Sequence, residues 1–197
     1  MGKTDLRPWS ELGHDGSAVG SCGFSAQTSR LPEPSLLVKL LFTGEALSIQ
    51  VHPDDAFARS IGLPHGKTEA WYVLSATPEA RLALGLKHEL SRSQLRACIL
   101  DGTIQELVQW QGVRAEDTVL VPAGTIHAIG AGLVIAEIQQ RSDTTFRLFD
   151  HGRQRPLHLD GAVGAAITAP AAAQQKPSRL SEARNVLTQC LFRARGG

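Results

Sequence analysis

Residues 47–52 read Leu-Ser-Ile-Gln-Val-His, apolar and polar in strict alternation. Alternation of this kind is a β-strand with two unlike faces: Ile49 and Val51 point one way, and Ser48, Gln50 and His52 the other. A polar face on an otherwise strong strand has two explanations. It looks into solvent from a half-exposed sheet, or it lines a site, because a buried face is apolar unless it holds something. Pro53-Asp54-Asp55 then stops the strand and supplies a cap for a short helix through Ser60.

The same strand-and-turn texture extends in both directions. Upstream, residues 36–41 form an apolar run broken by Lys39. Downstream, Gly66 opens a strand through Glu69, Trp71 and Val73, and residues 80–86 form another. Residues 91–109 read as helix in two pieces split by Gly102, with Leu95, Ile99, Ile104, Leu107 and Val108 as the apolar faces. Strands return at 119–121, 126–129, 133–139 and 144–149, separated by Pro122-Ala123-Gly124 and by the 130–132 turn. Many short strands with one helical insertion predict an all-β barrel or sandwich, and the absence of alternating βα units argues against a doubly wound sheet.

Three regions follow from this pattern. Residues 1–35 are Gly-, Ser- and Pro-rich and read as an irregular segment packing on the barrel; 36–160 is the barrel itself; 161–197 is a short helix and a polar tail. The 197 residues are 42% hydrophobic and 20% charged, enough to bury one core. A formal net charge of +1 gives no bulk attraction to nucleic acid or to a membrane surface. The three cysteines are odd in number and lack metal-ligand spacing, so a reducing, cytoplasmic setting is expected. No apolar leader and no run of eighteen apolar residues is present, so a soluble chain is expected.

Chemistry-bearing residues gather around the strands. Gln50 and His52 share a face, Glu69 starts a strand, and His127 enters one just after a tight turn. Two imidazoles, a carboxylate and an amide oxygen are a workable N and O donor set, zinc first, with iron, manganese or cobalt as alternatives. Arg147 lies between Phe146 and Leu148, opposite to them by alternation, and Lys39 sits likewise within an apolar strand. If that face is the lumen, each cation needs an anionic partner; otherwise both reach the rim on their aliphatic stems.

Four segments then carry a resemblance: 47–55 (LSIQVHPDD), 66–74 (GKTEAWYVL), 121–129 (VPAGTIHAI) and 137–150 (EIQQRSDTTFRLFD). In order and spacing they resemble the type I mannose-6-phosphate isomerases, over about residues 36–159, in the compact bacterial form. The resemblance implies a cupin fold, a double-stranded β-helix or jelly-roll barrel with a small helical insertion. It implies that Gln50, His52, Glu69 and His127 bind one divalent metal, usually zinc. It sets Arg147 beside the sugar, and Lys39, Ser48, Lys67, Glu137 and Asp143 in the pocket. Lys39, Ser48 and Lys67 are the candidates for a substrate phosphate. Glu137 and Asp143 are both candidates for a general base. The implied partner is a small sugar phosphate, with no nucleic acid or membrane and an oligomeric state left open.

Departures from the family pattern are specific. The chain has no room for the helical and second cupin domains of larger members. Residues 2–6 and 19–24 stand where compact members carry a Trp-Gly and a Gly-Glu-Ile-Trp segment, and His151 replaces a common aromatic. Two other readings therefore accompany the isomerase: a non-catalytic sugar-phosphate-binding regulatory cupin, and an isomerase of a different sugar or sugar phosphate.

Overall fold

The computed structural model describes residues 35–172 and 177–179 together with the backbone of Ser21–Phe24. Its strands are β1 (Ser21–Phe24), β2 (Leu36–Thr43), β3 (Ile49–Val51), β4 (Glu69–Ala76), β5 (Arg81–Leu86), β6 (Val108–Gly112), β7 (Asp117–Val121), β8 (His127–Ile129), β9 (Leu133–Gln140), β10 (Phe146–Phe149) and β11 (Ser178–Arg179). The helices are α1 (Asp55–Ser60), α2 (Arg92–Asp101), α3 (Ile104–Leu107) and α4 (Leu159–Ala165). Two antiparallel sheets form, in the orders β1-β2-β9-β4-β7-β11 and β10-β3-β8-β5-β6. This is the all-β cupin architecture expected, with α2 and α3 as the helical insertion.

Two apolar cores sit on the two faces of the five-stranded sheet. Leu82, Leu84 and Ile129 from that sheet pack against Leu41, Trp71, Val73, Val119, Val121 and Ile135 from the six-stranded one. On the other face Ile49, Val51, Ala83, Ala128 and Leu148 pack against Leu95 and Ile99 of α2, Ile104, and Ala162 of α4. The face of β3 that was legible as apolar thus meets helices, and the polar face looks between the sheets. Both are buried, so the solvent-facing explanation of Ser48 and His52 does not hold.

Several boundaries differ from the sequence reading. The helical stretch ends before Val108, because Val108 and Trp110 pair with Leu86 and Ala83 of β5 and extend the sheet. Their β-branched and aromatic side chains suit a pleated surface better than a helix. Within the N-terminal segment, expected to be irregular, Ser21–Phe24 pairs antiparallel with β2; residues 1–20, 25–34, 173–176 and 180–197 lie outside the described residues. The C-terminal helix starts at Leu159, and the strand expected from Gly66 begins at Glu69. Among the described residues no helix is long and apolar enough to cross a membrane.

Local sequence explains how the site-bearing strands are aimed. Asp54 caps α1 by accepting from Phe57 N at 2.7 Å, which ends β3 just past His52. Pro122 to Thr125 is a turn closed by Thr125 N to Pro122 O at 3.1 Å, with Gly124 at φ +84°, and it delivers His127 to β8. The loop before β4 is pinned to the end of β3: Gly66 N donates to Asp55 Oδ1 at 2.7 Å and Lys67 N to Pro53 O at 2.9 Å. A Cβ on Gly66 would lie 2.5 Å from the Asp54 carbonyl carbon and 2.6 Å from Pro53 O. Both are backbone, so the loop itself would have to shift. Gly66→Ala is expected to cost about 1–3 kcal/mol by overpacking and to lower metal affinity, since the loop sets Lys67 and Glu69 beside His52. Urea midpoints and metal titration check this; an unshifted midpoint would show that the loop yields freely.

Candidate metal centre

The register between strands places the polar side chains at one end of the space between the sheets. Gln50 of β3 pairs with His127 of β8 on one side and with Arg147 of β10 on the other. Across the barrel, Glu137 of β9 pairs with Lys39 of β2 and Trp71 of β4, and Glu69 pairs with Gln139. Directly opposed residues of an antiparallel pair share a face.

His52, Glu69 and His127 converge. One ligand atom from each lies within 4.8 Å of the other two, and all three residues are buried. His52 Nδ1 faces Thr144 O at 2.8 Å and His127 Nδ1 faces Thr125 O at 2.9 Å. A carbonyl only accepts, so each Nδ1 carries the proton and each Nε2 turns a lone pair inward. His52 Nε2 is 3.2 Å from Glu69 Oε1, and His127 Nε2 is 3.9 Å from Glu69 Oε2. Lone pairs and carboxylate oxygens this close repel unless positive charge stands among them. Lys67 supplies some of it, with Nζ 2.6 Å from Glu69 Oε1 and 3.3 Å from His52 Nε2. The Lys67 contact is an ion pair and not an aligned hydrogen bond, and buried Glu69 Oε1 has no hydrogen-bond partner. Orphaned in that way beside two inward lone pairs, it fits a divalent cation.

Protonation states agree with a donor set. Burial alone would raise the Glu69 carboxyl, but His52, Lys67 and His127 outweigh it and hold it well below the ordinary carboxylate range. Burial, reinforced by the neighbouring His52 ring, lowers His127 to about 3. Glu69 is therefore an anion and His127 neutral at pH 7, the forms that bind metal.

The remaining expected residues surround the cluster to different degrees. Gln50 Nε2 is 3.3 Å from His127 Nε2, and Ser48 Oγ donates to Gln50 Oε1 at 3.0 Å. Lys39 Nζ donates to Gln139 Oε1 at 2.9 Å and stands 4.0 Å from Glu137 Oε1. Glu137 is buried, and its carboxyl is pushed up to about 7 by that burial and by Glu69, against Lys67 and Lys39. Arg147 is half-buried on the same face as Gln50, with Nη1 donating to Pro156 O at 3.0 Å. Asp143 is exposed in the β9–β10 connection and is not brought into the cluster.

Two participants were missed. Trp71 Nε1 donates to Glu69 Oε2 at 3.1 Å, and buried Gln139 holds Lys39. Each lies two residues from a recognised carboxylate, on the same strand and face, so period-two alternation was the available signal.

Glu137 generates a pH prediction. Its folded value, about 7, lies above the ordinary 4.5. A raised value contributes stability that is complete below the unfolded value and is lost as pH rises through the folded one. In chelator-treated protein, Glu137→Gln should therefore remove a loss of stability that the parent shows between about pH 4.5 and 7. Denaturation midpoints at several pH values test this; parallel profiles would mean that Glu137 ionises normally.

No family model matches the sequence. The chain is 42% identical over 153 residues to mannose-6-phosphate isomerase of Streptococcus mutans, covering 74% of this chain and 48% of that protein. It is 34% identical over 164 residues to mannose-6-phosphate isomerase ManA of Bacillus subtilis, covering 80% and 51%. The crystal structure of mannose 6-phosphate isomerase from Bacillus subtilis superposes with a TM-score of 0.65 at 34% identity, over 71% of this chain and 47% of that one. The chain thus spans about half the length of the curated relatives it matches. Identity of this order, on strands that superpose, is common descent, and the chain belongs to the mannose-6-phosphate isomerase family.

Proposed function

We propose that this chain is a metal-dependent aldose–ketose isomerase that interconverts mannose 6-phosphate and fructose 6-phosphate in the cytoplasm. The observation that carries the reading is the buried His52, Glu69 and His127 cluster with a proton-accepting carboxylate, Glu137, across the same lumen. The relatives' names support the substrate. Gln50, His52, Glu69 and His127, supplied by the 36–160 barrel, would hold one ion. Zinc is our choice, because two imidazoles with oxygen donors suit it. Gln50 contributes through Oε1, reached by turning its amide end for end. When bound, such an ion is a Lewis acid for the sugar oxygens.

The chain's own residues do the remaining work. Isomerisation moves the C2 proton to C1 and a hydroxyl proton from O2 to O1, through a cis-enediol. Glu137 takes the proton from C2 and returns it to C1. It is preferred over Asp143 because a buried carboxyl held near 7 is matched to proton transfer at neutral pH, whereas Asp143 is exposed. Both histidines are unsuited to that role, since their Nε2 lone pairs belong to the cluster. Arg147 stabilises the oxyanion as charge builds in the enediolate. Lys39, Ser48 and Lys67 take the phosphate, two point charges and a hydroxyl donor.

Conversion of mannose 6-phosphate to fructose 6-phosphate, measured with and without chelator, tests the reading. Activity is expected only with metal, and His127→Ala should remove metal and turnover together. Full activity in metal-free His127→Ala protein would falsify it. Sugar-phosphate binding without turnover would make the chain a regulatory binder. Arg147→Ala should retain fold and metal while kcat drops by roughly 10²–10³, the scale of losing one preorganised oxyanion donor. A loss confined to binding would make Arg147 an anchor for ground-state charge. Unphosphorylated mannose should turn over far more slowly, because binding energy from the remote dianion lowers the barrier. Equal rates for the two sugars would mean another substrate class.

A further inference from the structure

Just beyond β10 the chain makes a charged knot. Asp150, with its side chain 2% exposed, accepts from Arg153 Nε and Nη2 at 3.1 and 3.0 Å. It also accepts from Arg155 Nε and Nη2 at 2.8 and 2.5 Å. Arg153 Nη1 continues to Ala46 O at 2.9 Å, and His151 Nε2 donates to Leu47 O at 3.0 Å. The knot therefore grips the two residues that lead into Ser48 and Gln50.

Its other end returns to Arg147. Pro156 O, one residue past Arg155, accepts from Arg147 Nη1 at 3.0 Å. The Arg147 backbone is bracketed by His158: Arg147 N donates to His158 Nδ1 at 3.1 Å, and His158 N to Arg147 O at 2.9 Å. A bulge between Arg147 and Phe149 lets both Leu148 and Phe149 pack toward the helices while Arg147 keeps its pairing with Gln50. Bulges beside active sites commonly re-aim one side chain.

We infer that the Asp150–Arg155 ion pair is a positioning device for the Arg147 guanidinium, acting through the Pro156 carbonyl. The i,i+5 pairing folds residues 150–155 into a closed loop, and that closure determines where Pro156 O stands. One of the five guanidinium donors is spent on that carbonyl, which fixes the side chain and leaves the rest of the fork for an oxyanion. Without the pair, Pro156 is tied only at its His158 end, and Arg147 gains freedom to sample its rotamers. The inference rests on the catalytic reading of Arg147 given above.

A double-mutant cycle on the metal-loaded protein separates positioning from mere stability. Arg155 is suitable because its side chain is 49% exposed, so truncation leaves no buried cavity. Arg155→Ala should lower kcat by roughly 10–100-fold, the cost of a remote change that misplaces a reacting group, with KM and metal content little changed. In an Arg147→Ala background the same substitution should cost nothing more. Arg155→Lys should recover part of kcat, since one charged contact to Asp150 survives. Amide exchange at Arg147 should quicken in Arg155→Ala, a readout that needs no turnover. Additive losses, or an unchanged kcat in Arg155→Ala, would overturn the inference while leaving the isomerase reading intact. If Arg147→Ala itself leaves kcat unchanged, the catalytic reading of Arg147 fails and the positioning role with it.

Discussion

A carboxylate with 1% of its side chain exposed is tolerated only when surrounding charge and donors compensate its lost hydration, and Glu69 is such a group. Lys67 in the loop before β4 supplies charge and Trp71 of β4 a donor, while His52 and His127 turn their Nε2 lone pairs toward it and leave the remaining compensation to a cation. The two imidazoles are in turn held by the carbonyls of Thr144 and Thr125, in the connections flanking β10 and β8. Much of the remaining architecture can be traced to this arrangement. The loop carrying Gly66 is packed against Pro53 and Asp54, the turn at Gly124 is tight, and α1 starts at once after His52. Each shortens the path between a strand end and the cluster.

The strand that carries Gln50 and His52 has a second constraint. Ile49 and Val51 are fully buried against α2 and α4, so β3 is covered on both faces. A shift of one residue would put two aliphatic side chains into the polar lumen and Gln50 into the apolar layer. The helical insertion therefore fixes the register of the site even though it contributes no residue to it.

This division explains what could be read in advance. Alternation around 47–52 displayed both faces of β3, and the order of short strands displayed the sheet class. Residue type offered His52, Glu69 and His127 as a donor set, but their spacing did not contain the convergence, and the family resemblance carried it. Periodicity reports which face a residue occupies and not which strand lies opposite. Val108 was misread as helical because an apolar residue at helical spacing looks the same until a partner strand, β5, claims it. The roles of Trp71 and Gln139 were legible by alternation. The Asp150–Arg155 loop was not, since it depends on how residues 150–155 turn in space.

The cluster draws on both sheets, with Glu69 from the six-stranded one and Gln50 and His127 from the five-stranded one. An ion seated there is a rivet through the barrel. Prising the sheets apart at that end would then mean releasing the ion, so the seam's resistance to opening rises with free metal as RT ln(1 + [M]/Kd), about 2.7 kcal/mol at a hundredfold excess over Kd. Metal supply in the cell would accordingly govern how long each copy survives its proteases.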